Sequence, residues 1–295
     1  MKCLFIYNKN SGKNRYLKKK DYIIDRLKKR FGDVEFSEPN SKEEFLEVLK
    51  KSKEYDYLIF SGGDGTVNDV LNAVLKSEKK PILGYIPSGT VNDFASSLSI
   101  PKNLKKALNI IEKGSPKNVD AFLENDRYGV YVCASGIFTS ASYKTEQTKK
   151  QKAGKWAYYV DSFKEVFSSK AHKIDVKIGD ENLSLNSVLF FLINSKSVAG
   201  YKFNKNADLN DGQMELVSVN QKKEKLTFGS LMLIFRMFLF GLKSVLKNKN
   251  ITYKKFSSLD VKFYDEMAVN VDGENDGKHN VKIKVIKDAI KILSL

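Results

Sequence analysis

Through the first third of the chain, short and mostly apolar runs alternate with segments of longer hydrophobic period. The runs at 2–7, 34–36, 55–60 and 82–86 predict strands buried on both faces of a parallel sheet. Between them, Ile23, Ile24, Leu27 and Phe31 recur at helical spacing and stop at Gly32, a residue suited to the position just past a helix. Ser41 and Glu44 form a capping-box pattern ahead of Phe45, Leu46, Val48 and Leu49. Val67, Val70, Leu71, Val74 and Leu75 make one stripe with a period of about 3.6 residues. Phe94, Leu98 and the run at 104–111 continue in helical style. Strand alternating with helix predicts an α/β unit with right-handed crossovers.

The pattern changes after about residue 118. Runs at 128–139, 174–178, 187–194, 213–219, 259–264, 267–271 and 281–286 look like strands separated by turn residues, which predicts an antiparallel β domain. Helices at about 155–168 and 226–246 interrupt it, and the strand-like run 289–295 is open to either domain. The expected fold class is α/β plus all-β, divided into 1–118 and 119–287.

Composition narrows the function classes. A chain of 295 residues with 42% hydrophobic residues and 5 prolines reads as ordered and globular. The net charge is +16, yet arginine occurs only at positions 15, 26, 30, 127 and 236. Nucleic-acid sites favour arginine interleaved with aromatic residues, so no nucleic-acid partner is expected. Dispersed lysine suits an anionic membrane surface, at about 1 kcal/mol per lysine near it. Cys3 and Cys133 lie in apolar runs without metal-type spacing and read as buried thiols in a reducing compartment. The longest apolar stretch, 226–242, carries Arg236 and several small or polar residues, whereas a bilayer span needs about 20 apolar residues. A cytoplasmic protein touching the inner face of the membrane is the expectation.

The chemistry concentrates in polar loops at the strand ends. Gly62, Gly63, Asp64, Gly65 and Thr66 follow one strand, with Val67, Asn68 and Asp69 opening the next helix. Glycine lets the backbone turn sharply and present its N–H groups to phosphate, and the helix start adds partial positive charge. Ser88, Gly89 and Thr90, with Asn92 and Asp93 behind them, follow the next strand. Adjacent parallel strands would put both loops on one sheet edge, so Asp64 and Asp93 could flank one magnesium–nucleotide. Asn8, Lys9, Asn10, Ser11 and Gly12 form a third polar loop at that edge, and Ser37 ends the second strand near a nucleoside position. A ligand-free tight turn is the plainer alternative for each loop.

Read together, Asn8–Gly12, the GGDGTVND segment at 62–69 and the PSGTVNDFA segment at 87–95 resemble the diacylglycerol kinase catalytic domain family, which includes sphingosine and ceramide kinases. The first glycine motif is shared with NAD kinases; the second narrows the resemblance to lipid kinases. The resemblance implies an N-terminal nucleotide-binding domain, a C-terminal β-sandwich, an active site in the cleft between them, and final residues 288–295 packing back on the first domain. It implies ATP and Mg2+ as cofactors, with a structural magnesium at Asp208, Asp211 and Gln213. It also implies Asp272 and Glu274 as the catalytic segment. Spacing alone does not divide base from metal ligand between these two: at i and i+2 on a strand they would share a face, while Gly273 could open a turn instead. Lys9, Asp69 and Lys205 depart from the family pattern, and the metal turn is its weakest part.

The reading is an ATP-dependent lipid kinase acting on a lipid hydroxyl at an anionic surface, with diacylglycerol as the first acceptor. An NAD-kinase-like enzyme and a non-catalytic nucleotide-binding adaptor are the alternatives, and a homodimer is left open. The segment 226–246 is either a core helix pair or a surface that dips into membrane. Trp156, Tyr158 and Tyr159 beside Lys149, Lys150, Lys152 and Lys155 read as an interfacial patch or a plain amphipathic helix.

Overall fold

The computed structural model describes residues 1–9, 16–136, 170–198, 200–202, 204–265 and 267–295. Asn10, Ser11, Gly12 and the aromatic–lysine segment at 149–168 lie outside the described residues.

The chain opens with β1 (Cys3–Tyr7), α1 (Lys20–Phe31), β2 (Val34–Ser37), α2 (Lys42–Lys50), β3 (Tyr57–Gly62), α3 (Asp64–Leu75), β4 (Ile82–Pro87), α4 (Asp93–Ser97) and α5 (Leu104–Lys113). The four strands are parallel in the order β2-β1-β3-β4, and all five residues of β1 are buried. Helices start where the sequence indicates. The Ser41 hydroxyl accepts from Glu44 N at 3.1 Å, while the Glu44 carboxylate reaches back to Asn40 N at 2.7 Å, a cap worth about 1 kcal/mol.

The second part comprises β5 (Ser115–Glu124), β6 (Arg127–Gly129), β7 (Val132–Gly136), β8 (His172–Ile178), β9 (Glu181–Ile193), β10 (Met214–Asn220), α6 (Phe228–Phe240), β11 (Ile251–Phe256), β12 (Ser258–Phe263), β13 (Ala268–Val271), β14 (Glu274–Lys278) and β15 (Val281–Ser294). Its strands pair antiparallel, and β15 lies between β12 and β5 before Ile292 pairs in parallel with Leu83 of β4. One buried cluster includes Leu58 and Val67 from the first part and Val130, Tyr131, Phe191 and Ile290 from the second. Apolar packing therefore crosses the junction where the polar loops converge.

Several elements differ from the sequence expectation, each for a local reason. The expected strand at 128–139 is broken between β6 and β7, where a carboxylate takes backbone N–H groups that a sheet ladder would otherwise use. The runs 281–286 and 289–295 form one strand whose register shifts between Ile286 and Ile290, with Asp288 at φ 53°. The strands β5, β11 and β14 are additional. The first four residues of β5 are exposed and none is a strand-type apolar residue, and β11 is only half-buried, so neither carries the alternation that marks a strand. The segment 226–246 is a single helix, α6, followed by a short 3-10 turn.

Candidate active site

β3 and β4 end in register at Gly62 and Pro87, so the two following loops leave the sheet side by side. They touch. A Cβ on Gly89 would lie 2.5 Å from Gly63 Cα, and one on Gly62 would lie 2.3 Å from the Thr66 side chain; only glycine fits either place. Ser88 N donates to Gly62 O at 2.9 Å. Asn92, at φ 58°, accepts from Gly89 N at 3.0 Å and donates to Gly89 O at 2.7 Å. The buried Tyr85 hydroxyl is 3.1 Å from Gly62 O and 3.2 Å from Asn92 Oδ1.

The edge so formed suits a polyphosphate. Gly63, at the N-terminus of α3, supplies no capping side chain, so the first-turn N–H groups favour an anion there. Ser61 Oγ, Ser88 Oγ and Asn68 Nδ2 are buried at the same edge, with no hydrogen-bond partner among the described residues. Such groups are costly unless something else satisfies them. Asn8 Nδ2 donates to Thr66 Oγ1 at 2.9 Å, tying the end of β1 to the start of α3. Lys9 instead reaches Asn40, Thr90 O accepts from Lys102 Nζ at 2.9 Å, and Ser37 closes β2 opposite Ile6. Val67 is fully buried and its N–H bonds Gly63 O, so it serves packing rather than a polar contact.

The carboxylates take separate positions. Asp64 accepts from Asn92 N at 2.7 Å and Phe94 N at 3.5 Å, reaching across to the second loop. Burial, and then the neighbouring Asp93, raise its pKa to about 6. Asp93 is buried and accepts from Ser197 Oγ at 2.7 Å and Gly200 N at 2.8 Å. In this structure both carboxylates accept from protein donors that fasten the second loop. Asn68 Oδ1 accepts from Asn72 Nδ2 at 2.7 Å, and Asn72 goes on to Tyr128 O and Tyr128 N at 2.9 and 3.2 Å. That bond staples α3 to β6. Asp69 lies 3.2 Å from Lys42 Nζ.

Asp272 and Glu274 do not share a face. Asp272 at φ 52° and Gly273 at φ 87° form a two-residue turn between β13 and β14, the geometry that hairpin twist favours. Asp272 points inward, accepting from Val130 N at 2.8 Å, Tyr131 N at 3.0 Å and Val132 N at 2.9 Å. Those are the N–H groups at the β6–β7 break. Burial raises its pKa to about 7, against the lowering effect of those bonds. Glu274 points the other way. A Cβ on Gly65 would lie 3.4 Å from Glu274 Oε1, while Glu274 Oε2 is 2.6 Å from Arg127 Nη2. Burial, and then the charges of Asp64, Asp272, Asp93 and Glu274, raise the Tyr131 phenol well above its ordinary range, and its hydroxyl donates to Asp272 O at 2.5 Å.

At the expected magnesium turn, Asp208 Oδ1 accepts from Asn210 N at 3.1 Å and Asp211 Oδ1 accepts from Gln213 N at 3.0 Å. Asp211 Oδ2 lies 2.6 Å from Lys255 Nζ. Asp120, fully buried, accepts from Gly212 N at 2.7 Å and Asp288 N at 2.9 Å. The oxygen-rich set fits a hard cation, and Lys255 supplies the positive charge in this structure. Sequence reasoning did not single out Asp120, Asp288, Asn72, Arg127 or Tyr131. Arg127 had one signal, as one of five arginines in a lysine-rich chain; the others meet their partners only through long-range pairing.

A parallel sheet with paired glycine loops, joined to an antiparallel part that brings a carboxylate to the first loop, has the make-up of a phosphate-binding enzyme. Residues 2–123 match the diacylglycerol kinase catalytic domain, and residues 131–294 match the YegS C-terminal NAD kinase beta sandwich-like domain. A diacylglycerol kinase of Staphylococcus saprophyticus is 32% identical over 98% of this chain and 94% of its own. One of Staphylococcus aureus is 32% identical over 92% and 86%. The crystal structure of a diacylglycerol kinase from Bacillus anthracis superposes with a TM-score of 0.79 at 20% identity, covering 100% of this chain and 97% of the other. An NAD kinase from Archaeoglobus fulgidus in complex with ATP reaches 0.54 at 14% identity, over 99% and 93%. The chain belongs to the diacylglycerol kinase family and is a kinase.

Proposed function

We propose that the chain transfers the γ-phosphate of ATP to the hydroxyl of diacylglycerol, giving phosphatidic acid. The observation that carries this reading is the Glu274 carboxylate beside Gly65 of the first phosphate loop. In the proposed site, the α3 N-terminus, Thr66, Ser88 and the paired glycines bind the polyphosphate. Glu274 accepts the proton of the attacking hydroxyl, with Arg127 holding its second oxygen in place. Asp272 fixes the hairpin that presents Glu274. Bound magnesium would neutralise charge on the phosphates; Asp64 would meet it, and a structural ion would be held by Asp208, Asp211 and Gln213 beside Asp120. Division of the chain near residue 118, with 288–295 assigned to the first domain, belongs to the same reading.

The lipid side rests on α6. Ser230, Ile234 and Met237 face inward, while Phe228, Met232, Phe235 and Leu239 form an exposed stripe at helical spacing, with Phe240 beside it. Exposed Arg236 lies on the same helix, and exposed Lys243, Lys247 and Lys249 follow it in sequence. Apolar rings bordered by cations suit an anionic bilayer. No helix among the described residues is long and apolar enough to cross a membrane, so contact would be peripheral.

The test is transfer of labelled γ-phosphate from ATP with magnesium to mixed micelles carrying diacylglycerol, monoacylglycerol, sphingoid base or polyprenol, with NAD as a soluble acceptor. Label in diacylglycerol supports the proposal. Label in another lipid corrects the acceptor, and label in NAD alone overturns it.

A further inference from the structure

A second cluster, outside the glycine loops, has the chemistry of a transition-metal site. β5 ends at Glu124, β14 carries Asp276, and His279 lies just beyond the end of β14; one ligand atom from each falls within 4.8 Å of the others. His279 Nε2 is 3.0 Å from Glu124 Oε1 and 3.4 Å from Asp276 Oδ2. Glu124 is fully buried, and its Oε2 has no hydrogen-bond partner among the described residues. A buried carboxylate oxygen without a donor costs about 1–3 kcal/mol or more, and the Asp276 carboxylate has an oxygen within 4.8 Å of the Glu124 carboxylate. A cation relieves both penalties at once.

We propose that Glu124, Asp276 and His279 bind a divalent transition metal, zinc by preference. Imidazole with carboxylates is a zinc donor set, whereas magnesium takes oxygen alone. The charge closes: two carboxylates balance the ion, and Arg127, 3.2 Å from Asp276 Oδ1, is balanced by Glu274. The His279 side chain is 30% exposed, which leaves a route for the ion and for water to complete the shell. Other soft donors do not compete. Cys3 and Cys133 are buried, and His172 pairs with Asp265. The competing arrangement is a proton shared between Glu124 and Asp276, since burial, with Asp276 adding to it, raises the Glu124 carboxyl.

The test titrates the full chain, stripped with chelator and returned to excess magnesium, with zinc by calorimetry and with cobalt(II) by visible absorption. Magnesium fills oxygen-only sites and leaves this one to report. We expect one equivalent of zinc and a cobalt spectrum of low coordination number. Affinity should fall by at least about tenfold in Glu124→Gln and in His279→Gln. If Glu124→Gln does not fold, the partly exposed His279→Gln carries the comparison. No binding, or equal binding by wild type and variants, overturns the metal in favour of the shared proton.

Discussion

Asp272 and Glu274 are both carboxylates, two positions apart, yet the turn between them gives each a different task. Three backbone N–H groups converge on Asp272, so Asp272→Asn would set an amide N–H against a buried donor. We expect that variant to lose about 1–3 kcal/mol of stability, read as a lower Tm. Glu274→Gln loses only the partly exposed pair with Arg127, about 1 kcal/mol or less, and should lower kcat by at least about a hundredfold, the scale of a lost general base. Asp64 gives a pH test. Its folded pKa is raised from 3.8 to about 6, so the folded chain holds the proton more tightly than the unfolded one. Its contribution is present below 3.8 and is lost as pH rises toward 6. Asp64→Asn should flatten the fall in Tm over that window; an unchanged slope would remove the assignment. At this scale the glycines and acidic residues were legible as motifs. Their orientations were not, because Arg127 and Tyr131 act through partners far away in sequence.

The elements best read from sequence were those buried on both faces. β1, β3 and β4 are continuous apolar runs, and α3 presents one stripe to the core, so period and burial agree. The β5, β11 and β14 strands escaped because their polar or half-exposed residues hide any alternation; pairing with β15, β10 and β13 makes them strands. Between the two phosphate loops, a methyl on Gly89 would meet backbone at 2.5 Å. We expect Gly89→Ala to spread the loops and weaken ATP binding at least about tenfold by calorimetry, since backbone cannot yield as a side-chain tip would. For α6, Phe228→Ser with Phe240→Ser removes the two most exposed rings of the helix. That pair should lower sedimentation with anionic vesicles while leaving turnover on a short-chain, micelle-free acceptor unchanged. Equal loss of both activities would make α6 a packing element instead.

Across the whole molecule, β15 ties the parts together, pairing with β12 and β5 and then meeting β4. Through β5, β15 also holds β6, which packs on α3, and the Asp272 bonds to the backbone just after β6 bring Glu274 to Gly65. The α/β plus β-sandwich architecture was legible because the hydrophobic period switches along the chain, and the family because two glycine motifs occur in succession. The approach of one domain's hairpin to the other's loop was not, since no local pattern encodes it. The most direct measurement is transfer of labelled phosphate from ATP to diacylglycerol micelles by wild type and Glu274→Gln, with Tm recorded for both. We expect label in wild-type lipid, loss of label in the variant and a variant that stays folded, with Tm lowered by no more than the lost Arg127 pair accounts for. Full transfer by Glu274→Gln, or label appearing only in a soluble acceptor, would contradict the assignment of this cleft to lipid phosphorylation through Glu274.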